Sequence, residues 1–151
     1  MSDRVKTAAR ERGLDLEVCH LEATPRSPDE AAKALGCAMA EVAKSAVYVV
    51  DGEPVVCLVA GGDAVDPGLV CDVFDAAEAR VASPDEARAA TGFPTGAVPP
   101  IAHDLRVVFD ERLLDHGRIY AAGGDGRTLV EIDPKALAPM IDATVAPIAR
   151  R

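Results

Sequence analysis

Tryptophan is absent from this chain, and two tyrosines and three phenylalanines are all its aromatic rings. A protein that grips nucleobases by stacking needs more, so a ring platform is excluded as its main device. No apolar run approaches the roughly 20 residues that cross a bilayer; the longest, Pro54 to Gly61, directly follows Glu53. The opening Met-Ser-Asp-Arg-Val-Lys has no apolar stretch of the signal-peptide kind, so the expected setting is cytoplasmic, with no membrane partner. The four cysteines, Cys19, Cys37, Cys57 and Cys71, share no metal-ligand spacing, and no histidine completes a zinc pattern with them. The expectation is reduced, mostly buried thiols, no metal and no organic cofactor. A Gly-x-Ser-x-Gly nucleophile elbow is also missing. Gly123-Gly124-Asp125-Gly126 lacks the Lys-Ser/Thr of a phosphate loop and precedes a strand, so it reads as a hairpin turn.

Positive charge is scarce. Sixteen basic residues face 25 acidic ones, for a net charge of −9. That field keeps the chain soluble and opposes adhesion to DNA or to anionic lipid. It leaves room for a nucleic-acid end held in a local basic pocket, with an affinity that falls as salt rises.

What is present describes one domain over residues 1–151, 49% hydrophobic and long enough to bury its own core. Ser27-Pro28-Asp29-Glu30 and Ser83-Pro84-Asp85-Glu86 each place Ser at the N-cap, Pro at the first helical position and Glu at the third. Asp133-Pro134 starts another helix, and residues 3–12 form one that ends at Gly13. Strands are expected at 14–21, 45–50, 54–60, 106–109, 118–121 and 128–132, with Asp51-Gly52 as a hairpin turn. Val55 to Val59 is apolar throughout, which calls for cover on both faces. Hairpins mixed with helices give an α+β architecture: a mixed, mostly antiparallel sheet flanked by helices.

The most informative stretch is Thr91-Gly-Phe-Pro-Thr-Gly-Ala-Val-Pro-Pro100. Its prolines fix φ and donate no N–H, while Gly92 and Gly96 permit φ > 0. A stiff loop that offers main-chain amides suits a carbonyl oxygen or a phosphate; it also suits a plain structural turn. Upstream, Lys44-Ser45 opens an apolar strand, where the amine either reaches solvent or faces a polar cleft.

In order, Lys44-Ser45, the Asp51-Gly52 hairpin, Gly92-Phe93, Gly96 and Pro100 resemble the YbaK/ProRS-associated editing domain family, the trans-acting aminoacyl-tRNA deacylases. The resemblance covers essentially the whole chain, and Ala122-Gly123-Gly124 adds to it. It implies hydrolysis of the ester of a mischarged aminoacyl-tRNA, with Lys44 as the essential residue near the terminal adenosine and the ester, where its cation can hold a terminal phosphate or stabilise developing negative charge. The loop Gly96, Ala97, Val98, Pro99 and Pro100 would hold the aminoacyl end. Read from the residues themselves, Ser45, Gly92, His103 and Gly123 are further candidate substrate contacts, and Ser45 equally suits a capping hydroxyl at a strand start. The implied partners are the tRNA 3′ end and prolyl-tRNA synthetase; oligomeric state is not implied. An aminoacyl ester is already activated, so positioning and an oxyanion donor suffice without a strong protein base.

The chain departs from the family at Ala97, Ile101 and Ala102, and carries Ala122 and Leu129 where members that remove cysteine tend to have Ser and Asp. These departures leave two other readings open: a binding module for tRNA or synthetase without turnover, and a deacylase for a non-tRNA acyl ester. Among the histidines, His103 is the one with a cleft role in view; the other reading is a structural, hydrogen-bonded ring or one simply exposed. His20 shares a strand face with Leu14, Leu16 and Val18 and reads as a core residue, and His116 sits in a turn. Asp63, Asp66, Asp104 and Asp110 read as turn residues at element ends.

Overall fold

The computed structural model describes residues 1–150. Its centre is a hairpin. Strand β2 (Ala43–Val50) turns at Asp51 and Gly52 into β3 (Glu53–Ala60). Both turn residues have positive φ, 47° and 87°, as the tightest hairpin turn matched to strand twist requires. Before them come helix α1 (Asp3–Arg12), strand β1 (Glu17–His20) and helix α2 (Pro28–Leu35). After them follow α3 (Pro67–Phe74), β4 (Ala79–Val81), α4 (Pro84–Thr91), β5 (Arg106–Asp110), β6 (Ile119–Ala122), β7 (Thr128–Ile132), α5 (Pro134–Met140) and β8 (Thr144–Ala146).

The strands form two sheets. The larger has the order β4-β2-β3-β5-β8, with β3–β5 and β5–β8 parallel and the rest antiparallel. The smaller, β1-β7-β6, is antiparallel throughout. A parallel bridge between Val42 and Tyr120 links the approach to β2 with β6. This link sets Lys44 near the end of β6.

Strand β3 is covered on both faces, as its unbroken apolar run predicts. Val56 and Leu58 join the core with Val5, Phe93, Phe109 and Leu137, while Val55, Cys57 and Val59 join the opposite one with Val70, Val108 and Ile148. The strand period of two thus divides one run between two cores, each fully buried aliphatic contributing roughly 1.5–3 kcal/mol. The second core needs α3, a helix missed in the sequence reading although Asp66-Pro67 repeats the Asp-Pro start of α5. The edge strands β4 and β8 were also missed; three residues are too few to show a period.

The other helix starts behave as read. Ser27 and Ser83 accept the N–H of Glu30 and Glu86, and Gly13, Gly36 and Gly92 end α1, α2 and α4 in left-handed conformation. Strand β1 is shorter than expected because the close of α1 claims the Leu14 N–H, which donates to the Ala9 carbonyl at 2.9 Å. His20 is exposed, not part of the core. It ends an edge strand that pairs only with β7, beyond the reach of the apolar face it shares. Asp110 ends β5 where a turn begins, as read, and is fully buried as well: it accepts the Ile148 and Ala149 N–H groups at 3.0 and 3.1 Å and pins the C-terminal segment.

Candidate functional site

Lys44 lies on β2 opposite Val59, so the ladder fixes its Cα and the strand period sets its direction. Its stem is half-buried, and Nζ donates to the Asp63 carbonyl at 2.6 Å. That partner is a neutral main-chain oxygen, which orients the ammonium without cancelling its charge. Gly61 makes the arrangement possible. A Cβ there would stand 2.6 Å from the Met39 carbonyl oxygen and 2.7 Å from Pro28 Cβ, so the chain passes this closely under α2 only as glycine. Sequence reasoning missed Gly61 and Asp63, because neither carries a side-chain signal for the role.

The Thr91–Pro100 loop forms the facing wall. Its start is tied by Thr91, fully buried, whose hydroxyl donates to the Ala87 carbonyl at 2.8 Å and accepts the Phe93 N–H at 3.0 Å. Arg4 clasps it from outside: the guanidinium lies 4.5 Å from the centre of the Phe93 ring and donates to the Ala102 carbonyl at 2.8 Å. A turn closes from the Ala97 N–H to the Pro94 carbonyl at 3.0 Å, with Gly96 at its third position and φ 88°, where a non-glycine residue is strained. The Gly96 and Val98 N–H groups take no partner among the described residues.

Two adjoining chambers lie between these walls. The first, about 220 Å³, is lined by Lys44, Ser45, Gly96 and Val98 together with Pro28, Ala31, Val42, Ala122 and Leu129. The second, about 380 Å³, is lined by Thr24, Thr95, Gly96, Ala97, Gly126 and Thr128. Pro25, Arg26, Gly96, Ala122 and Leu129 border both. Among the described residues, neither lining contains Asp, Glu, His or Cys.

Lys44, Ser45, Gly96, Ala97 and Val98 are therefore brought together. Five other expected contacts are not. Gly92 ends α4, Pro99 and Pro100 are buried behind the wall, and Gly123 closes the β6–β7 hairpin with its N–H on the Thr128 carbonyl at 3.0 Å. His103 borders neither chamber: its Nδ1 accepts the Leu105 N–H at 3.3 Å, leaving Nε2 to donate to the Pro99 carbonyl at 3.1 Å. Burial lowers the His103 pKa, partly countered by the Pro99 carbonyl and Asp104, so the neutral ring that suits this brace is favoured.

Arg26, bordering both chambers, was overlooked because it precedes a helix cap and belongs to no motif. Of the thiols, Cys57 is buried and its pKa pushed up to about 12 by desolvation; the others are half-buried and all four are free. Among the described residues no three His, Cys, Asp or Glu side chains converge as metal ligands.

An apolar chamber with an oriented ammonium, unpaired amides and, among its described lining residues, no Asp, Glu, His or Cys suits an already activated acyl group, which such a cleft can hold and polarise. The comparisons agree. A family model for the aminoacyl-tRNA editing domain matches residues 23–139. The uncharacterized protein YwhH of Bacillus subtilis is 30% identical over 136 residues, covering 88% of this chain and 86% of that protein. The proline–tRNA ligase of Solidesulfovibrio magneticus is 34% identical over 115 residues, which are 74% of this chain but only 20% of the ligase. Among solved structures, a candidate trans-editing enzyme for prolyl tRNA synthetase superposes with a TM-score of 0.91 at 35% identity, covering 100% of this chain and 99% of that one. The hypothetical protein APE2540 superposes at 0.92 with 25% identity, over 98% and 100% of the two chains. The chain belongs to the aminoacyl-tRNA editing domain family. It is an enzyme of the deacylase type, and its substrate class is mischarged aminoacyl-tRNA.

Proposed function

We propose that this chain acts in trans, in the cytoplasm, on mischarged tRNA(Pro), removing a small apolar amino acid that prolyl-tRNA synthetase has attached in error. The observation that carries the reading is that Lys44 and the Gly96–Val98 segment border the same chamber. In this reading the ester carbonyl accepts from the Gly96 and Val98 N–H groups, and Lys44 stabilises negative charge as it develops on the oxygen. Ser45 supplies one further hydrogen bond. The attacking oxygen comes from water, which a hydroxyl of the substrate itself can orient, and the proton it loses ends on the departing ribose oxygen; no Asp, Glu or His borders either chamber among the described residues to act as base.

The acyl pocket follows from its walls. Ala31, Val42, Val98, Ala122 and Leu129 offer methyl and isopropyl surface, and a thiol or hydroxyl placed there would lose its water partners. Ala122 and Leu129 are the two positions at which polar residues would have favoured cysteine, and both border the chamber. Alanine is the expected acyl group.

The test is deacylation of mischarged tRNAs, starting with alanyl- and cysteinyl-tRNA(Pro), by wild type and Lys44→Ala. Cleavage of the alanyl ester that falls about 100- to 1,000-fold in the variant supports the reading. Full activity in Lys44→Ala overturns the role of Lys44. Binding without turnover across the panel makes the chain a binding module, and equal hydrolysis of a free small ester, indifferent to tRNA, makes it a general deacylase.

A further inference from the structure

The Arg26 side chain has no partner among the described residues; only its main-chain N–H is engaged, donating to the Glu30 carboxylate at 2.7 Å. The segment that carries it is nonetheless fixed. Leu21 donates to the Arg127 carbonyl at 2.9 Å, and the Arg127 guanidinium returns a hydrogen bond to the Glu22 carbonyl. A held backbone thus presents a free guanidinium on the border shared by the two chambers.

The surroundings sharpen the point. The chain carries 25 acidic residues, yet among the described residues none borders either chamber, whose cations are Lys44 and Arg26. Lys44 borders the apolar chamber alone; Arg26 borders both. The second chamber is the larger, has threonine side chains on its wall, and includes no aromatic ring on which a base could stack. A nucleoside seated there gains little from stacking, so an ionic contact to its phosphate must supply a larger share of the hold.

We propose that Arg26 binds the phosphate of the substrate's 3′-terminal nucleotide, with that nucleoside in the 380 Å³ chamber and the acyl group in the 220 Å³ chamber. The proposal rests on the editing reading above and assigns a positioning residue to it. A phosphate one ribose away from the ester lies where a group on the shared border can reach it. The planar, always charged guanidinium suits a phosphate better than an ammonium does.

The experiment compares wild type, Arg26→Gln, Arg26→Lys and Lys33→Gln on two substrates: mischarged tRNA, and the same amino acid esterified to adenosine without a 5′-phosphate. Lys33 is an exposed cation on α2, paired with Asp29, and controls for charge in general. Arg26→Gln keeps the main-chain bond to Glu30, so the start of α2 is undisturbed. Expected for Arg26→Gln is a KM for the tRNA raised about tenfold or more, an unchanged kcat, and no change on the aminoacyl-adenosine. Arg26→Lys recovers part of the loss, and Lys33→Gln behaves as wild type. Equal losses on both substrates, or none on either, overturn the proposal.

Binding of an uncharged RNA oligonucleotide with the tRNA 3′ sequence is measured alongside. Arg26→Gln should weaken it and lower the salt slope by about 0.7; an unchanged slope overturns the proposal. This arm does not depend on turnover, so an inactive wild type would defeat the editing reading while Arg26 is still judged.

Discussion

The two walls of the cleft are built in opposite ways. On one side β2 is stitched to β3 along its whole length, and Lys44 inherits its position from a register that also serves the core. Its main chain belongs to the ladder; only the side chain is offered. On the other side the segment after α4 has no regular structure, and its shape comes from attachments: the Thr91 hydroxyl, the Arg4 clasp, the Pro94–Ala97 turn and the His103 brace. This wall offers its main chain. Pro99 and Pro100 lie buried there without a penalty for an unpaired N–H, since proline has none, and the free amides are left at Gly96 and Val98. Strand for side-chain chemistry and loop for main-chain chemistry is a division that local substitutions can take apart.

The largest effect should come from the strand wall. Lys44→Met keeps the apolar stem and removes the charge, so deacylation should fall by about 100- to 1,000-fold while thermal stability barely moves. A variant with near wild-type kcat would erase the distinction between the walls, because the amides alone would then suffice. Next is Gly96→Val. A Cβ at this position meets nothing within 4 Å, so the cost is conformational: φ 88° is a region that a β-branched residue avoids. The expected loss is about 1–3 kcal/mol of local strain, relieved by shifting the turn, with kcat/KM down roughly tenfold as the amides move. If stability falls and kcat/KM holds, the loop is scaffolding and its amides touch nothing that reacts.

The same contrast governs what could be read in advance. The Ser-Pro and Asp-Pro helix starts, the Asp-Gly turn and the apolar run of β3 are local chemistry, and each element read from them is present. Lys44 and Gly96 were legible because each breaks the pattern of its own segment. Asp63 and Gly61 were not, because their roles arise only once the chain brings residues 19 apart or more distant to one place, as it does Lys44 and Asp63; the place of Arg26 on the chamber border is likewise set by the fold. At His103 two readings were open, and the structural one fits. Its place beside a proline-rich loop suggested the cleft, whereas both ring nitrogens engage the main chain of the loop's own exit.

Thr91→Val tests whether the loop wall takes its shape from its attachments. The substitution preserves volume and removes a buried hydroxyl that both donates and accepts, leaving the Phe93 N–H without its partner. An unmade buried hydrogen bond costs about 1–3 kcal/mol. Denaturant unfolding should show a loss of that size, with kcat/KM down only a few-fold because the turn at Gly96 remains. A loss below about 0.5 kcal/mol would mean that Arg4 and the prolines hold the wall unaided.

The smallest effect is expected at His103, and its sign separates a brace from a catalyst. Burial lowers its folded-state pKa, while the unfolded value stays near 6.5. Well above pH 6.5 both states are neutral there, and the group adds no pH dependence. As pH drops below about 6.5 the unfolded chain takes up the proton first, so stability falls until the folded pKa is passed and then levels off. Unfolding free energies of wild type and His103→Asn at about pH 7.5 and about pH 5.5 should therefore differ in slope, wild type losing more on acidification. At the higher pH the variant should be weaker by about 0.5–1.5 kcal/mol for the altered brace. Its kcat/KM, measured on folded protein, should keep the wild-type pH profile, since the ring borders neither chamber. A profile that loses an ionisation near pH 6–7 in His103→Asn would put the ring in the reaction and give the loop wall side-chain chemistry after all.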